Sequence, residues 1–134
     1  MTESGMPIGR NLEAIRKARG LTLKELDYSS GPRIEKGKDV TVNLISRYMK
    51  AMGVGVEFKI KFRGSYTPST DNPFLEVIRY AMVAKKVKVA QIANLADMSY
   101  DKLFRIHGGY RPMRIKDCER IFKLLGITTK FIWS

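Results

Sequence analysis

The sequence predicts a mostly α-helical protein built from two related helical units in tandem, each followed by a short β-strand. Three observations predict it. The chain aligns with itself, so one unit occurs twice. Its apolar residues recur at helical spacing through most of its length. The stretch Val56, Glu57, Phe58, Lys59, Ile60, Lys61, Phe62, Arg63 instead alternates apolar and charged side chains, the pattern of a half-buried strand.

The internal match begins at a shift of 66 residues, where Met6, Pro7 and Ile8 meet Asn72, Pro73 and Phe74. At that shift Leu12 meets Ile78, Ile15 meets Ala81, Ala18 meets Ala84, Leu21 meets Val87, Leu23 meets Val89 and Leu26 meets Ile92. At 72, Arg33 and Ile34 meet Arg105 and Ile106, and Gly37 meets Gly109. At 73, Val42 meets Ile115, Met49 meets Phe122, Met52-Gly53-Val54 meets Leu125-Gly126-Ile127, and Phe58 meets Phe131. The units are therefore 1–63 and 73–134. Residues 64–72 (GSYTPSTDN) carry turn formers with almost nothing apolar and read as a linker.

In the first unit only six residues, 27–32 (DYSSGP), separate Leu26 from Arg33, where the second has twelve. Pro32 would clip any helix it interrupted. The alternating strand over 56–63 follows. In the second unit Pro73 suits a helix start, with Phe74, Ile78, Ala81 and Met82 on one face. Val89, Ile92, Ala93 and Ala96 fit a second helix, and Ser99 caps a third whose Leu103 and Ile106 point inward. Ile115, Cys118, Ile121, Phe122 and Leu125 line a fourth, stopped by Gly126. A β-branched and aromatic strand over about 127–133 closes the unit. The expected core is Leu12, Ile15, Leu26, Ile34, Leu44, Ile45, Met49, Ile78, Val89, Ile92, Leu103, Ile106, Ile121, Phe122 and Leu125.

Charge supplies the first clue to function. Lys plus Arg number 25 against 13 Asp plus Glu, a net charge of +12. Cut at Tyr66, each half carries +6, so the basic character belongs to the whole body rather than to a tail. Such a field attracts polyanions, nucleic acid first among them. One cysteine, Cys118, permits no internal disulfide, and one histidine, His107, leaves no ligand set for zinc or iron. No apolar run is long enough to span a bilayer and MTESGMPIGR holds no apolar core of a secretory signal. These features predict a cytoplasmic, nucleoid-associated protein with no metal, no cofactor and no membrane partner.

From Val87 to Ile127 the second unit, VKVAQIANLADMSYDKLFRIHGGYRPMRIKDCERIFKLLGI, resembles the Cro/CI-type helix-turn-helix of phage repressors. Ile92-Ala93, the Ser-headed helix with Leu103, the pair Arg105-Ile106, and Gly109 keep that family's spacing. Asp97 stands where the family usually has Gly, and Asp tolerates the left-handed conformation better than most residues. The first unit resembles the family at both ends, in IGRNLEAIRKARGLTLKEL and in Arg33-Ile34-Glu35-Lys36-Gly37-Lys38, around a shortened middle. The strand after it is similar to that of HipB-type antitoxins, which pairs across a two-fold axis.

The resemblance implies a regulator, a repressor or autoregulator, that reads the major groove of double-stranded DNA with the helix over 99–106. It puts Tyr100, Asp101 and Arg105 at base-facing positions, with Arg105 forking onto a guanine and Asp101 accepting from a cytosine. Lys88, Ser99, Lys102, Arg111 and Arg114 fall to the sugar-phosphate backbone, which positions without specifying. The opposing reading of Arg105 is a pair with Asp101 at i, i+4, and that of the lysines and arginines is solvated charge. The strands over 56–63 and 127–133 can pair with each other or between chains. A second chain would restore two complete reading heads, so the sequence predicts a homodimer built at least partly through one or the other of these strands. His107 lacks a nucleophile and an orienting acid, fits a capping or loop role, and leaves no enzyme to predict. The alternative function is a protein-interaction module on the same fold: an antitoxin, an anti-activator or a phage inhibitor of a host system.

Overall fold

A computed structural model describes residues 8–26 and 31–133. Its elements are α1 (Ile8–Ala18), α2 (Leu23–Leu26), α3 (Gly31–Glu35), α4 (Val42–Met52), β1 (Gly55–Ile60) and β2 (Gly64–Tyr66), then α5 (Pro73–Lys85), α6 (Val89–Leu95), α7 (Tyr100–Gly108), α8 (Ile115–Leu125) and β3 (Ile127–Ile132). The chain is mostly helical with one small antiparallel sheet. The matches at Met6 and Pro7, and residues 27–30 of the shortened segment, lie outside the described residues. Gly31 and Pro32 open α3, where a proline in the first turn costs no hydrogen bond.

The helix ends form where local chemistry provides for them. Thr22 and Glu25 exchange hydrogen bonds ahead of α2, Glu25 N to Thr22 Oγ1 at 3.1 Å and Thr22 N to Glu25 Oε1 at 3.0 Å. The Thr41 side chain accepts from Leu44 N at the start of α4. Pro73 opens α5, and Lys86 ends it in the left-handed conformation at φ 56°.

The sheet runs β2-β1-β3 with β1 antiparallel to both neighbours. Two expectations need correction here. The strand over 56–63 stops at Ile60, because Arg63 N donates to Ile60 O at 2.8 Å and turns the chain back into β2. Phe62 therefore leaves the apolar stripe, sits at φ 68° and is 91% exposed. The linker over 64–72 is shorter than expected, since Gly64–Tyr66 pair along β1 as its second neighbour.

The β1–β3 ladder has an internal symmetry. Val56 faces Phe131 and Phe58 faces Thr129, and the 73-residue shift exchanges these pairs. Glu57 faces Lys130, its own counterpart at that shift, and this pair marks a local two-fold axis. A second contact obeys the same rule. Thr41 bridges its counterpart Arg114, with Val42 N donating to Met113 O at 2.8 Å and Ile115 N to Val40 O at 2.7 Å. The two halves thus meet as a pseudo-two-fold pair within one chain. The expectation that strand 56–63 joins two chains is corrected, because both edges of β1 are occupied from within.

One continuous core serves both halves. Phe58 lies between Phe74 and Phe122, edge-on to each at 5.7 and 5.6 Å. Of the expected core residues, Leu26, Leu44 and Val89 are half-buried against this core and the other twelve are buried. Cys118 is fully buried, and that burial, with Glu119 and Asp117 nearby, pushes its thiol well above the ordinary range.

The first half also holds a buried polar triad. Arg16 Nε and Nη2 fork onto the Glu35 carboxylate at 2.7 and 2.9 Å, Arg16 Nη1 reaches Leu21 O at 2.8 Å, and Tyr48 Oη donates to Glu35. The hydrogen bond with Glu35 raises the Arg16 pKa against the opposing effect of burial. Burial, then Glu35, pushes the Tyr48 phenol upward. The repeat places Met82, His107 and Ile121 at the matching positions of the second half.

Candidate nucleic-acid interface

Helices α6 and α7 form a bihelical unit around a tight turn. Ala96 N donates to Ile92 O at 2.8 Å and Met98 N to Ala93 O at 2.9 Å. Asp97 takes φ 54°, the left-handed conformation that its position demands. The Ser99 side chain then accepts from Lys102 N at 3.0 Å and starts α7. Ile92, Ala93, Ala96, Leu103 and Ile106 are all buried, which fixes the rotation of both helices. Arg120 from α8 donates to Ala96 O at 3.1 Å and braces the turn from behind.

With Leu103 and Ile106 inward, α7 turns Tyr100, Asp101, Phe104 and Arg105 to solvent. Arg105 Nε lies 3.1 Å from Asp101 Oδ2, the i, i+4 pair weighed against base contact, with both side chains more than half exposed. Tyr100 and Phe104 stack at 5.8 Å and are each about half exposed. Phe104 has no place among the sequence-predicted residues, although the helical period that turns Leu103 inward also turns its neighbour out. Leu95 and Tyr110 add exposed apolar surface next to the same helix.

The residues expected at the DNA backbone divide into two groups. Lys88, Arg111 and Arg114 are exposed. Lys88 opens α6, with its backbone N–H donating to Gln91 Oε1 at 2.7 Å and the residue itself exposed. Arg114 Nη1 donates to Asp39 O at 2.9 Å and so lies on the seam between the halves. Lys102 differs. Its Nζ turns back to Asp117 Oδ2 at 3.1 Å, a half-buried pair that ties α7 to α8. His107 lies in the last turn of α7, where burial and then Arg79 lower its pKa from 6.5, and its carbonyl accepts from Arg79 Nε at 2.8 Å.

The end of α7 has a close counterpart in the first half. Gly37 and Gly109 take φ 76° and 83°, where any other residue would be strained. Gly37 N donates to Ile34 O at 3.1 Å and Lys38 N to Arg33 O at 3.1 Å; Gly109 N donates to Ile106 O at 3.1 Å and Tyr110 N to Arg105 O at 2.8 Å. Ile34 and Ile106 are both buried, so Arg33 and Arg105 leave the same backbone geometry outward. The triad holds α3 in that position, through Glu35.

Among the described residues no helix is long and apolar enough to cross a membrane. No family model, no curated protein and no solved structure matches the chain.

Proposed function

We propose that the chain is a sequence-specific DNA-binding regulator of the Cro/CI helix-turn-helix type, a repressor or autoregulator acting on the nucleoid. The observation that carries this reading is the α6–turn–α7 unit, with Asp97 left-handed, Ser99 as N-cap, and Leu103 and Ile106 buried. That arrangement leaves a nine-residue helix exposing Tyr100, Asp101 and Arg105 on a chain of net charge +12. A helix of this size fits the major groove by its N-terminal end. Arg105 then exchanges Asp101 for the O6 and N7 of a guanine, while Lys88, Arg111 and Arg114 take phosphates. Selection of bound fragments from a random DNA pool tests the reading. A recovered consensus, with binding that falls steeply with salt, is expected. A pool that stays random refutes it.

A second reading has its own observation. The stacked Tyr100 and Phe104, with Leu95 and Tyr110 nearby, put aromatic surface on α7 where a purely electrostatic reader needs none. In that reading the face docks a protein partner, as an antitoxin or anti-activator would. The random pool separates the two, since a protein-docking face enriches no sequence.

A further inference from the structure

The pseudo-two-fold axis gives the first half a definite place relative to α7, and that half is not neutral. Arg33, Lys36 and Lys38 are exposed on α3 and the turn after it, and none pairs with a carboxylate among the described residues. The one acidic side chain within α3, Glu35, is buried and neutralised by Arg16. Asp39 is the nearest exposed acid, so the segment over 33–39 carries a net positive surface. Its backbone follows the end of α7 bond for bond, and the bridge between Thr41 and Arg114 sets the two segments across the axis.

An operator for a symmetric pair of reading heads repeats one sequence in two half-sites about one helical turn apart. Among the described residues, the long exposed helix belongs to the second head, α7. The described part of the other presents Arg33 on the five-residue α3 and Lys36 and Lys38 in the turn after it, with too few outward helical side chains to distinguish bases. Cations without base-edge partners position a protein on DNA and carry no sequence information. We infer that one chain occupies a whole two-half-site length of DNA asymmetrically. The α7 half reads its sequence, and Arg33, Lys36 and Lys38 clamp phosphates of the neighbouring half-site, whose sequence is unconstrained. This rests on the reading of α7 as a DNA-reading helix and adds the stoichiometry, the asymmetry and a second contact surface.

The test uses the full chain and the DNA consensus that it selects. Native mass spectrometry of the complex is expected to give one chain per duplex, and the consensus to lack a palindromic partner. A hydroxyl-radical footprint should extend about one turn, ~34 Å, beyond the consensus on one side only. Replacing Arg33, Lys36 and Lys38 together by alanine should lower the slope of log affinity against log salt by about two to three. The ranking of sequences should stay unchanged, and the unfolding midpoint of the free protein verifies that the variant is folded. A palindromic consensus bound by two chains, or an unchanged slope, overturns this inference and leaves the reading of α7 intact. If the wild-type chain selects no sequence, the reading of α7 falls and takes the inference with it.

Discussion

Replacing Glu35 by alanine isolates the triad from everything else in the fold. Glu35 is 4% exposed and accepts two hydrogen bonds from Arg16 and one from Tyr48. Its loss leaves a guanidinium, itself 9% exposed, without its carboxylate, while the Leu21 carbonyl still accepts from it at 2.8 Å. Removing one member of a buried ion pair costs about 3–5 kcal/mol, mostly through the uncompensated charge of the survivor. With a urea m value of about 2 kcal/mol/M for a small domain, the unfolding midpoint should fall by ~2 M. The companion variant Arg16→Met with Glu35→Ala removes both charges and places at position 16 the residue that the second half has at 82. It should recover much of the loss, because the stranded cation is gone. The measurement is urea denaturation followed by far-ultraviolet circular dichroism. A Glu35→Ala cost below about 1 kcal/mol, or a double variant no better than the single one, would refute the reasoning.

Other outcomes follow from particular contacts. Arg105→Ala should weaken binding to the selected DNA by about 1–3 kcal/mol and relax preference at one base pair, whereas Lys88→Ala should weaken all sequences alike; competition binding distinguishes them. Asp101→Ala removes a carboxylate held beside Arg105 and should raise affinity for random duplex, checked by fluorescence anisotropy. Gly9→Ala would set a Cβ 2.0 Å from the Ile34 carbonyl oxygen, so α1 and α3 must separate and the unfolding midpoint should drop sharply. Tyr66 Oη donates to Glu76, and this bond, with burial, pushes the phenol up to about 12. A raised tyrosine stabilises the fold fully below its ordinary pKa of 10.0, and that contribution should be lost as pH rises from 10 toward 12. Burial works to raise the Glu76 pKa, but hydrogen bonds from Tyr66, Thr70 and Ser69 outweigh it and hold it below 4.5, so its contribution persists above 4.5 and fades as pH falls below. Both limbs are read from the pH dependence of the urea midpoint.

Much of the fold was legible because repetition doubles every signal. A faint helical period in one unit gains weight when Ile15, Met49 and Phe58 find apolar counterparts at Ala81, Phe122 and Phe131. The core positions of α7 were equally plain, since Leu103 and Ile106 obey one period and Ser99 marks where it begins. The turn after Ile60 was hidden by its own sequence. Phe62 continues the alternation of the strand, and only the return of Gly64–Tyr66 along β1 shows that pairing replaces the outward pattern. The triad was invisible for another reason. Arg16 and Tyr48 lie far apart in the chain, and nothing local marks either as a partner of Glu35. The pairing of Lys102 with Asp117 was hidden similarly, because Asp117 belongs to the next helix.

The charges at the centre of the β1–β3 ladder have a consequence for how copies of this chain meet. In a pair of identical subunits, the residue on a two-fold axis faces itself, so an axial glutamate meets a glutamate. Joining both halves in one chain lifts that restriction, and Glu57 faces Lys130 instead. If two chains paired through like strands, β1 against β1 at the same register would oppose Glu57 to Glu57, and β3 against β3 would oppose Lys130 to Lys130. Like charges directly across a ladder are destabilising. The correct closure is also intramolecular, so dilution does not open it, whereas any exchanged pairing must be repurchased at the concentration of the protein. Closing the ladder within one chain therefore sets unlike charges at the one position where a ladder of identical strands would have to set like ones.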